Sequence, residues 1–194
     1  MQQPESFSKK ITRTVGCQYL ISLPKNYDAK STKGFPMILF LHGAGERGSD
    51  IWKASSHGPS KYAAQHPDFP FILVTPQCPT DEVWSNDILL ALLDEVVAKY
   101  KVDQKRIYLT GLSMGGFGAW NLGLTHPEKF AALVPICGGG ERIEVLLAAH
   151  GFAGPVKLEN LRKLPVWAFH GAKDPVVPLV ESERMINALK EVKC

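Results

Sequence analysis

Ser113 is the residue around which chemistry can be read in this chain. It stands in Gly111-Leu112-Ser113-Met114-Gly115, a G-x-S-x-G pattern preceded by the β-branched and aromatic run Ile107 to Thr110 and followed by small apolar residues. A strand that turns abruptly into a helix is the expected setting, because glycines two before and two after the serine let the two elements approach without a Cβ clash. A serine there can hold strained dihedrals with its hydroxyl outward, at a helix N-terminus that favours developing negative charge. The chemistry of such a hydroxyl is nucleophilic attack with formation of a covalent intermediate. A tight structural turn is the plain alternative.

A second chemical stretch is His42-Gly43-Ala44-Gly45-Glu46-Arg47-Gly48, whose glycines allow successive backbone amides to line one anion-binding concavity. It follows the continuous apolar run Phe35 to Leu41, the pattern of a parallel strand buried on both faces. A third candidate, Asp174, follows another apolar run, Pro165 to His170. Gly138-Gly139-Gly140 has no Lys-Ser/Thr after it, so it reads as room for the chain to pass rather than as a phosphate cradle.

The elements that position these residues alternate between strand and helix. Strands are expected at Gln18 to Leu23, Phe35 to Leu41, Pro70 to Thr75, Ile107 to Thr110, Phe130 to Cys137 and Pro165 to His170. Helices are expected after Ser85 or Asn86, with Leu89, Leu92, Leu93, Val96, Val97 and Tyr100 on one face, from Met114 to about His126, over Glu141 to Ala149, and after Pro178 with Met185, Ile186 and Leu189 inward. Gly151 to Lys163 reads as a modest connection, and Ser49 to Asp68 as a loop-like or partly helical segment. This alternation predicts a single α/β domain over 1–194, with a mostly parallel central sheet and helices on both faces. Ligands of such sheets bind beyond the carboxyl ends of the strands, where His42, Ser113 and Asp174 all fall.

The length suits one domain, and 22 Lys+Arg against 19 Asp+Glu gives no reason to expect nucleic acid or an anionic membrane as partner. No apolar run is long enough to span a bilayer, and Met1 to Lys10 lacks a signal-peptide core, which leaves the compartment open. Cys17, Cys78, Cys137 and Cys194 are widely spaced and show no zinc spacing; free buried thiols are expected, with a disulfide from Cys194 as the alternative.

Leu41 to Gly48, Gly111 to Gly116 and His170 to Pro178 (H-G-A-K-D-P-V-V-P) together resemble the α/β-hydrolases. The likeness is to bacterial esterases often labelled predicted peptidase, related to feruloyl esterases and polyhydroxybutyrate depolymerases. It covers nearly the whole chain, and it implies that Ser113 is the nucleophile and Asp174 the acid that orients a histidine. The amides of Met114 and Ala44 would then form the oxyanion hole, and Gly43, Glu46, His57 and Trp84 would lie on the substrate side. Trp84 reads equally as core packing, and Glu46 and Arg47 as a pair holding the loop. No metal or organic cofactor is implied.

The family's triad runs Ser, acid, His along the chain. The six histidines, His42, His57, His66, His126, His150 and His170, all precede Asp174. The resemblance therefore implies a fold lacking its last strand and helix, with one sheet edge bare and dimerisation through that edge as an option. Among the histidines present His57 is the expected stand-in, His42 and His170 are expected to be structural, and the other three to be surface or capping residues. The function implied is a serine carboxylic ester hydrolase acting through an acyl-enzyme on short acyl or aryl esters, acetyl or feruloyl-like, free or polysaccharide-linked. The alternatives are a thioesterase or peptidase on the same machinery, and a catalytically dead binding protein.

Overall fold

The computed structural model describes residues 2–152 and 155–193. Its strands are β1 (Tyr19–Ser22), β2 (Phe35–Leu41), β3 (Ile72–Pro76), β4 (Val102–Leu112) and β5 (Ala132–Ile136), joined in the order β1-β3-β2-β4-β5. Only β1 is antiparallel to its neighbour; β3, β2, β4 and β5 run parallel. The helices are α1 (Gly58–Gln65), α2 (Asn86–Lys99), α3 (Met114–Thr125), α4 (Arg142–Ala149), α5 (Pro155–Lys163) and α6 (Val180–Glu191). The α/β class, the mostly parallel sheet and the positions of β2, α2 and α3 are as the sequence predicts.

Successive strand residues point to opposite faces, and β2 shows what each face packs against. Met37, Leu39 and Leu41 enter the main core with Leu89, Leu92, Leu93 and Val96 of α2 and Trp120, Leu122 and Leu124 of α3. Phe40 points the other way, where α1 lies and Ser60 of that helix hydrogen-bonds the Thr75 hydroxyl. The i, i+3, i+4, i+7 spacing of the α2 residues is the helical stripe read from the sequence.

Two expectations are corrected. Gly151 to Lys163 is not a plain connection, since α5 occupies Pro155–Lys163. The run 165–170 does lie beside β5 in parallel, but as two isolated bridges, Leu133 with Val166 and Ile136 with Phe169, rather than as a ladder. Trp167 N–H donates to the Leu133 carbonyl and Phe169 N–H to that of Pro135, while Leu133 and Cys137 donate back to Pro165 and Phe169. The bond missing from this alternation is the one Pro135 would donate, and proline has no N–H. Within this segment the rings of Trp167 and Phe169 meet at 4.8 Å with a 35° tilt, 69% and 43% exposed. Cys17, Cys78 and Cys137 are free thiols, and Cys194 lies outside the described residues.

Candidate active site

Strand β4 ends at Leu112 and α3 begins at Met114, so one residue makes the whole reversal. Ser113 does so at φ 54° and ψ −117°, a conformation that costs a non-glycine residue about 1–3 kcal/mol and persists only where its surroundings over-determine it. They do. Its N–H donates to the Ile136 carbonyl at 2.9 Å, and its own carbonyl accepts from Phe117 N–H at 3.0 Å. A Cβ at position 111 would stand 2.1 Å from the Gly115 carbonyl oxygen, and one at 115 would stand 1.9 Å from that of Leu41, so both glycines are required by close approach.

Ser113 is half-buried and lies on the wall of a cleft of about 640 Å³, together with Val83, Trp84, Met114, Phe117 and Gly140. Glu181 and Arg184 of α6 line the same cleft. Trp84 is buried, packs over Gly118, is among the residues lining the cleft, and donates its indole N–H to the His42 carbonyl at 3.1 Å. Phe117, 39% exposed and one helical turn beyond the serine, is a cleft residue that sequence reasoning missed. Its signal was its size, in a helix start otherwise built of small residues.

The loop after β2 lies on another side of the serine. A Cβ on Gly43 would stand 3.7 Å from Ser113 Cβ, so the loop backbone meets the elbow directly, and Ala44 opens a short turn that ends at Glu46. The first N–H groups of α3, Met114's among them, have no acceptor within the helix. The Met114 and Ala44 amides are those the family resemblance implies as oxyanion donors.

His42 is structural, as expected. It is 1% exposed, its Nε2 accepts from Cys78 N–H at 3.0 Å, and Nδ1 therefore carries the proton and donates to the Gly43 carbonyl at 2.7 Å. Burial pulls its basicity below the ordinary imidazole range. His170 is also committed, with Nδ1 at 2.7 Å from the Ser182 hydroxyl and Nε2 at 2.7 Å from the Val177 carbonyl. His66, His126 and His150 cap the ends of α1, α3 and α4.

Asp174 follows the 165–170 run, which lies parallel to β5. Its Oδ1 accepts from Val177 and Val176 N–H at 3.0 and 2.9 Å, and these two bonds, with His170 nearby, hold the carboxyl below its usual range. Cys137, which follows β5, feels both the Ser113 backbone and the Asp174 carboxylate. Burial chiefly raises its thiol, the Ser113 backbone lowers it, and the Asp174 carboxylate raises it again.

Glu46 and Arg47 do not pair. Glu46 Oε1 is 3.4 Å from Nε2 of the half-exposed His57, while Arg47 donates to the Ala44 and Glu82 carbonyls at 3.1 and 3.2 Å. Adjacent residues on a tight turn point apart, which is why neighbours in sequence diverge here. Gly43, Ala44, Glu46, His57 and Asp174 do not line the cleft of Ser113; the loop reaches the serine through Gly43. Among the described residues no histidine hydrogen-bonds Ser113.

A family model described as "Putative esterase" matches residues 13–139, about two thirds of the chain. The chain belongs to this esterase family. The matched span carries the elbow, the loop after β2 and β1 to β5, and stops at the glycines after β5. A protein of Aspergillus terreus named Probable feruloyl esterase C is 26% identical over 178 residues, covering 89% of this chain and 60% of its own. The crystal structure of a thermostable esterase superposes with TM-score 0.68 and 33% identity over 90% of this chain and 48% of that one. A ferulic acid esterase superposes with TM-score 0.67 at 20% identity, which speaks to the α/β-hydrolase fold alone. The chain thus spans about 60% of the length of that curated relative and about half of the thermostable esterase.

Proposed function

We propose that this esterase-family chain carries the nucleophile, the orienting acid and the oxyanion donors of a serine carboxylic ester hydrolase. The observation that carries the reading is Ser113 held at φ 54° on the wall of a cleft, with the Gly43 backbone against it. Strain retained at a cleft residue is a mark of pre-organisation, and nothing in packing alone calls for a serine there.

In the proposed reaction Ser113 Oγ attacks the ester carbonyl carbon and its proton passes to an imidazole. The tetrahedral oxyanion is received by the Met114 and Ala44 amides, and the alcohol departs with the proton. Water then attacks the acyl-serine and releases the acid. Each oxyanion donor lowers the barrier by about 3 kcal/mol. The imidazole is oriented by Asp174; an aspartate already accepting two backbone N–H bonds stays ionised and fixed for that task. Among the described residues no imidazole is hydrogen-bonded to Ser113, so proton removal is the step expected to be slow.

The substrate class proposed is short acyl or aryl esters, acetyl or feruloyl-like, free or attached to a polysaccharide. The Val83, Trp84 and Phe117 wall supports it, as do the names of the relatives. The test is fluorophosphonate labelling followed by peptide mapping, with free imidazole added as a rescuing base. Labelling at Ser113, absent in Ser113→Ala and accelerated by imidazole, is expected. Label on any other residue, or none with imidazole present, overturns the reading. Hydrolysis of 4-nitrophenyl acetate without release of ferulate from a feruloylated sugar removes the aryl part only, and parallel thioester and anilide assays separate the esterase from a thioesterase or peptidase.

A further inference from the structure

The loop that meets Ser113 is held from below by one buried side chain whose role neither the motif nor the family name assigns. Gln77 follows β3 and is 3% exposed. Its Nε2 donates to the carbonyl of Glu46 at 2.9 Å and to that of Asp50 at 2.6 Å, spanning both turns of the segment between β2 and α1. Its own backbone N–H is tied to the Gln18 carbonyl beside β1, so the amide is anchored to the sheet rather than to the loop. Neighbouring bonds run the same way: Gly48 N–H to the Cys78 carbonyl, Cys78 N–H to His42, Trp84 to the His42 carbonyl and Arg47 to the Glu82 carbonyl. The segment after β3 is therefore a brace under the loop.

We propose that Gln77 is a positioning residue for the oxyanion loop, its amide fixing the curl from Glu46 to Asp50 that aims the Ala44 N–H beside Ser113. The inference rests on the reading of Ser113 as nucleophile. A primary amide suits the position because two carbonyls need two N–H donors on one nitrogen, which only asparagine or glutamine supplies without a charge. An oxyanion donor stabilises charge only where it is already in place, and a displacement of about 1 Å costs on the order of 10²-fold in rate. Substrate contacts in the cleft lie elsewhere, on α3, α6 and Val83–Trp84, so binding should be spared.

Two variants test this. Gln77→Leu keeps the volume and removes both donors; kcat on 4-nitrophenyl acetate should fall about 10²-fold with KM near the wild-type value. Gln77→Glu puts a carboxylate against two carbonyls in a buried site, next to Glu46 and Asp50, with Arg47 committed to other carbonyls and His42 held neutral by Cys78. Its acid should titrate high, so this variant should match Gln77→Leu at pH 8 and regain rate as the pH falls and the acid becomes a donor, a limb absent from the wild type. Hydrogen exchange at residues 43–48 should quicken in Gln77→Leu whatever the turnover. Wild-type kcat in Gln77→Leu, no acid recovery in Gln77→Glu, or unchanged loop exchange each overturns the positioning role. A wild type that never reacts at Ser113 overturns the nucleophile instead, and loop exchange still decides the brace.

Discussion

Replacing Gly115 by alanine tests whether the strand-to-helix elbow is set by backbone contact. The added methyl would stand 1.9 Å from the Leu41 carbonyl oxygen, 2.5 Å from its carbon and 2.7 Å from the His42 carbonyl oxygen. A carbon needs about 3.5 Å from a heavy atom, so β2 and α3 must part by roughly 1.5 Å. Overpacking against side chains costs about 1–3 kcal/mol because they rotate away. Here the obstacle is the backbone of a central strand paired on both sides, so the upper end, about 3 kcal/mol, is expected. In a domain of this length that is a fall of about 6–12 °C in Tm. Gly45→Ala is the control, since nothing lies within 4 Å of the methyl it adds, and its Tm should hold or rise slightly as the unfolded chain loses freedom. Scanning calorimetry at one scan rate reads both. Gly115→Ala melting within about 2 °C of wild type, or Gly45→Ala falling as far as Gly115→Ala, would refute the reasoning.

Two further outcomes follow from strain and burial. Ser113→Gly should remove the cost of φ 54°, raising stability by about 1 kcal/mol, or roughly 2–4 °C in Tm, while abolishing labelling; Ser113→Ala should abolish labelling without the gain, and equal melting of the two would show that no strain is stored. His42 binds its proton less readily folded than unfolded, so between its folded value and about pH 6.5 the unfolded state holds the extra proton. Its stabilisation is complete above about pH 6.5 and is lost as the pH falls through the folded value. The Tm of wild type should therefore drop from pH 7 towards pH 5 more steeply than that of His42→Phe, and parallel curves would show that His42 is not the titrating group.

How much of this was legible in sequence depended on whether the cause was local. The elbow and β2 were, because G-x-S-x-G and an unbroken apolar run each state their own requirement. Helix α5 was not: P-V-K-L-E-N-L-R-K is rich in charged and polar residues and turns Leu158 and Leu161 towards the core, too sparse an apolar stripe to stand out after Gly151 and Gly154. The broken pairing of 165–170 had its cause in Pro135, about thirty residues away in another strand, and became visible only once the two lay side by side. Gln77 was hidden for the same reason, since its acceptors are 31 and 27 residues earlier in the chain. Its one local sign was a polar side chain directly after five buried strand residues.

The placement of strain ties the fold to the site. Two adjacent parallel strands, β4 and β5, each run into a left-handed residue that is not glycine: Ser113 at φ 54° and Cys137 at φ 41°. The second supports the first. The carbonyl of Ile136, just before Cys137, receives the Ser113 N–H, and Cys137 N–H is in turn held by the Phe169 carbonyl at 2.7 Å, in the segment that leads to Asp174. Each strand end is thus fixed by the next one across the sheet, in the order elbow, thiol, acid. Such a series of bonds lets a serine keep an unfavourable conformation, because relaxing it would break the bond to Ile136 and loosen the neighbours that hold Asp174 in place. Weakening the bridge at Phe169 is therefore expected to slow labelling of Ser113 although no side chain of that segment lines the cleft, and unchanged labelling in Phe169→Ala would show that the bonds are not coupled.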